Sequence, residues 1–312
     1  MRRLLLLCAL LACSFAATAK GPGAARKLIE SSLHVTGTID ITPAGDVLRI
    51  SLQQPLNQRE RERHLRHRRD VIEVHAQPRV AHAFDQPEKL PKGIVDIAAR
   101  LVPQWKFEPV ALQANTVSRS KMSLLFVGKK RDDGSVALEL RSASFGGGNG
   151  DEGVRIAEGN RRLAYPMQLM RNGVSGSVFL QLKIGRDGKV VNIDASHVNL
   201  RVIGSEQEMK LWRDIFVRST IATVKDWTFV VPQSGPGAEA GHWFGTLPIS
   251  FMVEGEKPGG YGRWETYVAG PKALIPWLQD SPLADGNVDA LTPNAFHAAG
   301  AGRRLLTPLS GG

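Results

Sequence analysis

Residues 178–195 place the tightest constraint on what this chain can fold into. Val178, Leu180, Leu182 and Ile184 alternate with mostly polar neighbours. Val191, Ile193 and Ala195 resume the alternation after Gly185-Arg186-Asp187-Gly188. Period two on both sides of an Asp-Gly turn is a hairpin with one buried face. An isolated hairpin is marginal in water, so the flanking segments must cover that face. Downstream, Ser205 with Glu208 forms a capping box that opens a helix. Met209, Trp212, Phe216, Thr223 and Trp227 lie roughly on one side of it, and Leu247, Ile249, Phe251 and Val253 then alternate once more. Upstream, Tyr165-Pro166 precedes a short helical stretch, Met167 to Asn172, that stops at Gly173. The order is helix, strand, strand, helix, strand, an α+β unit with an antiparallel sheet.

Residues 24–128 repeat this order more loosely. Ala24 to Leu33 reads as a helix, and Val35-Thr36-Gly37-Thr38-Ile39 echoes Val174-Ser175-Gly176-Ser177-Val178. Gly45-Asp46-Val47 echoes Gly188-Lys189-Val190. Gly93 to Gln104 is apolar at helical spacing and runs into Trp105-Lys106-Phe107, the counterpart of Trp227-Thr228-Phe229. Met122 to Val127 supplies a closing strand, and Val136, Leu138 and Leu140 predict a fourth that covers its edge. Val47 and Trp105 are 58 positions apart, Val190 and Trp227 only 37, so the first half carries an insertion. Four landmarks in one order predict two tandem αββαβ domains, each an antiparallel sheet with two helices. The expected organisation is a first domain over 24–144 with an Arg-rich insertion at 53–90, a Gly-rich linker at 145–160, and a second domain over 161–254. An irregular tail follows over 255–312, mostly disordered from Leu283 onward.

The first 19 residues read as a secretory signal. Arg2 and Arg3 precede an apolar run from Leu4 to Ala12, and Ala17-Thr18-Ala19 offers small residues before Lys20. Alternatives are a retained membrane anchor and lipidation at Cys13. Both cysteines, Cys8 and Cys13, lie in this segment, so cleavage after Ala19 leaves a chain without thiol or disulfide chemistry. Net charge falls from +10 to +8 on that cleavage, and the mature chain is placed in the periplasm.

The segment from Tyr165 to Val253 resembles the carboxy-terminal domain of TonB-type proteins. The resemblance rests on Tyr165-Pro166, Gly173, Gly176-Ser177-Val178, Asp187-Gly188, Trp227-Thr228-Phe229 and Pro248-Ile249-Ser250-Phe251. The first half is a degenerate relative, lacking both the Tyr-Pro and the strand proline. The resemblance implies capture of an extended segment of an outer-membrane receptor beside the last strand, Leu247, Pro248, Ile249, Ser250, Phe251, Met252 and Val253. Pro248 points the same way on physical grounds: it cannot donate a ladder hydrogen bond, which places its strand at a sheet edge. An edge is a template for a guest strand. Arg263 to Val268 could instead fold back and mask that edge.

Other chemistry is sparse. Arg59, Arg61, Arg63, Arg66, Arg68 and Arg69 form a basic run suited to anionic lipid head groups, or to nothing beyond a solvated insertion. His64, His67, His75 and His82 have no completing carboxylates or thiols and sit among arginines, so no metal site is expected. Nucleic acid is not an expected partner, because no aromatic platform interleaves the arginines. No hydrolase, zinc-protease or phosphate-loop motif is present, and neither catalysis nor a cofactor is expected. The leading reading is a non-catalytic periplasmic module that binds an envelope protein. The alternative is a TonB-type energy transducer held by an uncleaved N-terminal segment.

Overall fold

The computed structural model describes residues 28–53, 71–73, 81–84, 90–110, 116–131, 133–146, 153–233, 238–256, 263–279, 291, 293–300 and 302–309. In the first half, β1 (Ile29–Ile41) and β2 (Val47–Gln53) form a hairpin, followed by short strands β3 (Val71–Glu73) and β4 (Ala81–Phe84). Helix α1 (Lys92–Leu101) leads through a 3-10 turn to β5 (Thr116–Lys130) and β6 (Val136–Gly146). The second half has β7 (Arg155–Ile156), α2 (Met167–Arg171), the hairpin β8 (Gly176–Gly185) and β9 (Val190–Leu200), and α3 (Glu206–Val224). Strands β10 (Phe229–Val230), β11 (His242–Phe251), β12 (Glu265–Val268) and β13 (His297–Ala298) complete it.

The two hairpins turn in the same way. Thr42 N–H donates to Asp46 O (2.9 Å) and Gly45 N–H to Thr42 O (3.0 Å). In the second half Gly185 N–H donates to Lys189 O and Gly188 N–H to Gly185 O, both at 2.9 Å. Gly45 and Gly188 sit at φ +91 and +74, a backbone region costly for any residue with a Cβ. Each glycine carbonyl then accepts from the phenylalanine that follows the helix: Phe107 N–H to Gly45 O at 2.8 Å, Phe229 N–H to Gly188 O at 2.7 Å. This bond pins the Trp-x-Phe stub across the turn and buries Trp105, Phe107 and Phe229 in the core. Helix α3 starts as its sequence requires, with the Ser205 hydroxyl accepting from Glu208 N–H and the Glu208 carboxylate accepting from Ser205 N–H.

The expected helix over Ala24 to Leu33 is not formed: Leu28 is a turn residue and β1 starts at Ile29, while Ala24 to Lys27 lie outside the described residues. Pairing overrides helix propensity here, because β1 is flanked on both sides. Its whole length from Ser31 pairs β5 (Ser31↔Gly128 to Ile41↔Ser118). On the other side its second part pairs β2 and its first part pairs β12 (Ile29↔Val268 to Ser32↔Glu265). Leu33, Val35, Ile39 and Ile41 are fully buried as a result. Of the two helices expected in the first half, only α1 is present among the described residues.

Strand β12 does not fold back on β11. It sits between the halves, meeting β9 at Val268↔Leu200, so one eleven-stranded sheet runs β13-β11-β8-β9-β12-β1-β2-β4, with β5 on the far side of β1 and both β6 and β3 on β5. A hydrophobic core lies on each half; Ile29 and Val268, at the junction, pack into that of the second. Arg213 of α3 holds the junction by donating to the carbonyls of Val198 (3.1 Å), Val268 (3.5 Å) and Ala269 (3.4 Å).

Two boundaries differ from expectation. The segment 145–160 is not a free linker: Phe145 ends β6 in the first core, and β7 pairs β10 in the second half. Val154 is buried there, which a solvated linker would not allow. Nor are the described parts of 255–312 irregular throughout. Beyond β12, Ala273 N–H donates to Ser196 O (2.7 Å), and the tail later pairs with the Trp-x-Phe stub of the first half. Glu108 N–H donates to Arg304 O (2.9 Å) and Leu306 N–H to Lys106 O (2.8 Å). Leu305 and Leu309 pack on that core. The tail takes the place there that residues 155–157 take in the second half, where Ala157 N–H donates to Thr228 O (3.1 Å).

A Cβ at Gly188 would lie 2.1 Å from Phe229 O, and one at Gly45 2.0 Å from Phe107 O. Gly188→Ala should therefore cost about 2–4 kcal/mol, read as a drop in the urea midpoint. At the junction, Glu30 accepts from Arg141 (2.5 Å), Tyr267 (3.0 Å) and Lys129 (3.2 Å). Burial pushes the Glu30 carboxyl up, but these donors outweigh it and hold it below its ordinary value. A depressed carboxylate contributes stability that is present above the ordinary carboxylate range and lost as pH falls through the lowered value. Below about pH 4 the wild-type protein should lose stability faster than Glu30→Gln, measured by urea unfolding across an acid series.

Candidate functional site

The last strand of the second half is where sequence places the site. β11 pairs β8 from His242↔Gly185 to Phe251↔Gly176. Its inward residues Leu247, Ile249 and Phe251 are buried core, whereas Met252 and Val253 lie beyond the strand in a turn closed by Glu256 N–H on Val253 O (3.1 Å). Pro248 is opposite Phe179. In an antiparallel strand a residue's nitrogen and carbonyl oxygen point to the same side. Pro248 O accepts from Asn294 N–H (2.7 Å), on the side away from β8. The nitrogen that lacks a hydrogen thus faces outward, where its absence costs no bond to β8.

That outward side is not vacant. β13 lies antiparallel on it through Gly245↔Ala298 and Thr246↔His297, so β11 is next to the border of the sheet rather than at it. Ala299 N–H donates to Phe244 O (2.8 Å), and Ser250 N–H reaches the Asn294 side chain at 3.4 Å. The ladder stops at Pro248, which has no N–H to offer, and Asn294 turns away at φ +59. Phe296 lies over Gly245, where an added Cβ would come within 2.1 Å of its ring, and its ring centroid is 5.1 Å from that of Phe229. Gly245, Asn294 and Phe296 were not picked out from the sequence. A glycine inside an otherwise alternating strand signals close approach of another chain, and Gly245 carried that signal.

Tyr165 and Pro166 are brought to the other end of the same core. Pro166 is the N-cap of α2, and the Tyr165 hydroxyl donates to Val174 O (2.6 Å). The Tyr165 ring packs edge-on against Phe251 at 5.4 Å. Their role is to hold α2 against the end of β11, away from its outer side.

Arg59, Arg61, Arg63, Arg66, Arg68 and Arg69, with His64, His67 and His75, lie outside the described residues; the His82 backbone is in β4, opposite Ile50. Among the described residues no group of histidine, cysteine, aspartate and glutamate could hold a metal, and no helix is long and apolar enough to cross a membrane. A cleft of about 450 Å³ opens at the junction between Glu30, Arg141, His197 and Lys272. Its Glu30–Arg141 and Glu30–Lys129 ion pairs lie within the first half, and the Tyr267 hydroxyl, donating to Glu30, joins β12 to them.

A mostly antiparallel sheet with a helix packed on one face and a proline-bearing strand next to its border defines an α+β module. Residues 161–253 match the family model for the Gram-negative bacterial TonB protein C-terminal domain. The match takes in α2, β8, β9, α3 and β11 and leaves the first half and the tail outside it. The family is a non-enzymatic, envelope-associated protein-interaction domain that engages outer-membrane proteins. No curated protein and no solved structure matches the chain.

Burial pushes the Tyr165 phenol up to about 12, with the nearby Glu256 carboxylate adding to it. A raised phenol contributes stability that is complete below pH 10 and lost as pH rises through the folded value. Stability should therefore fall between pH 10 and 12, and Tyr165→Phe should remove that part of the fall. The urea midpoint against pH reads it.

Proposed function

We propose that this chain is an exported, non-catalytic envelope protein that captures an extended segment of another envelope protein by strand addition along the outer side of β11. The observation that carries this is Pro248: the strand that the family match ends on turns its missing donor outward, and that side already receives a short strand of the chain's own tail. A surface that accepts backbone hydrogen bonds from one extended segment has the geometry to accept them from another. The partner is a periplasm-facing segment, with an outer-membrane receptor as the family's precedent.

In the same reading the first half is a second, degenerate copy of the domain whose edge is closed for good. There β6 covers β5 from Lys121↔Gly146 to Lys130↔Val136, joined by a tight turn at Asp133-Gly134. The shared turn and glycine–phenylalanine bond support the duplication. Removal of a leader after Ala19 has support as well. Counting back by the interval between Gly45 and Gly188, the counterparts of residues 155–157 fall inside the first 19 residues. In the first half that place is filled by the tail.

The test uses a photo-crosslinking amino acid at Ser250, beside the outer side of β11, in cells that express the full chain. Crosslinks to an outer-membrane protein should exceed those from the same probe at Arg218 on α3. Equal yields from the two positions would remove β11 as the site.

A further inference from the structure

The tail segment on β11 is held in a way that describes its replacement. We infer that residues 293–299 are a built-in stand-in for the guest strand, displaced when the guest binds, and that the guest is an extended peptide running antiparallel to β11 with an aromatic side chain over Gly245. This rests on the strand-addition reading above and adds to it both a regulator and a specificity.

The two edges in the molecule are closed by different means. In the first half the covering strand is the next segment of chain and is paired along its length. In the second half the cover is paired at Gly245↔Ala298 and Thr246↔His297, with Ala299 bonded to Phe244 beyond one end and Asn294 bonded through its N–H and its side chain beyond the other. Apolar anchorage comes from Phe296, seated where Gly245 lacks a Cβ and against Phe229. Its neighbours in the segment, Asn294, Ala295, His297 and Ala298, bring no comparable apolar side chain. A ladder this short keeps β11 covered because the tail is tethered, which raises its local concentration, rather than because its own contacts are strong. It shields the backbone of β11 from unwanted pairing and yields to a competitor that forms a longer ladder. The glycine notch lets a side chain from this side reach the second core, so a guest that fills it carries a flat, apolar group at that register.

A synthetic peptide of residues 291–300, Leu-Thr-Pro-Asn-Ala-Phe-His-Ala-Ala-Gly, is the probe, titrated into the full exported chain by calorimetry. Phe296→Ala in the chain loosens the tail and should tighten peptide binding about tenfold, since apparent affinity scales with the fraction of time the edge is open. The same peptide carrying Ala in place of its Phe should bind neither protein. Thr246→Cys with His297→Cys, oxidised, should lock the tail and abolish binding, and reduction should restore it. Gly245→Ala fills the notch and should release the tail yet reject the peptide. Equal affinity of wild type and Phe296→Ala for the peptide would overturn the stand-in while leaving strand addition intact. Failure of the peptide to bind the Phe296→Ala chain, with its thermal transition retained, would overturn strand addition at β11 itself. Binding of the Phe-less peptide as tightly as the original would overturn the aromatic specificity alone.

Discussion

Strand β1 is the member on which both halves lean. A buried strand must find partners for its N–H and C=O groups along its whole length, since an unpaired buried group costs as much as a lost hydrogen bond. One side of β1 is met by β5. The other is too long for β2 alone, because β2 reaches only to Thr36, opposite Gln53. The remainder, Ile29 to Ser32, is met by β12, which comes from the far end of the sequence. That requirement draws the second half into the same sheet, and the Tyr267 hydroxyl on Glu30, with the Arg213 contacts to the Val198, Val268 and Ala269 carbonyls, then holds β12 in place. Side chains make the two cores; backbone pairing joins them.

Local signals were enough for the second half. The alternation of residues 178–195, the Asp-Gly turn, the Ser205 capping box and the Trp-x-Phe stub each act over a few residues, and each takes the expected form. What was not legible depends on partners far away in the chain. Leu28 to Leu33 suits a helix by composition and becomes strand because two distant strands flank it. Residues 293–299 show no alternation worth reading, with Phe296 the lone large apolar group between Pro293 and Ala299, and a two-residue ladder leaves no periodic trace. The edge position inferred from Pro248 differs from the structure by one strand: β13 lies outside β11, and Arg263 to Val268, the segment that could fold back and mask it, pairs β1 and β9 instead. The arginine run lies outside the described residues.

The two halves share a hairpin turn and a helix-to-stub connection and differ in what surrounds them. Gly45 and Gly188 bond to Phe107 and Phe229 with the same geometry, and Trp105 and Trp227 both fill the end of a core. The difference lies in what surrounds the stub. The Trp227 indole donates to Arg161 O (2.9 Å), a carbonyl supplied by the stretch before α2, whereas the Trp105 indole N–H is buried with no partner among the described residues. The tail restores the backbone pairing there through Leu305 and Leu306 without restoring that hydrogen bond. The first half is thus closed around its stub by a segment from the far end of the chain, the second by the stretch just before α2.

The pairing of Lys106 with Thr307 spans 201 positions. Residues near 106 leave the ribosome well before their partner has been made, at some 5–20 residues per second. The first core therefore cannot close vectorially, in step with synthesis; it waits for nearly all of the remaining chain. During that interval the open end of its sheet is what a chaperone would meet. A lesion near Leu305 would accordingly be felt first as poor yield, through misassembly of a segment two hundred residues upstream.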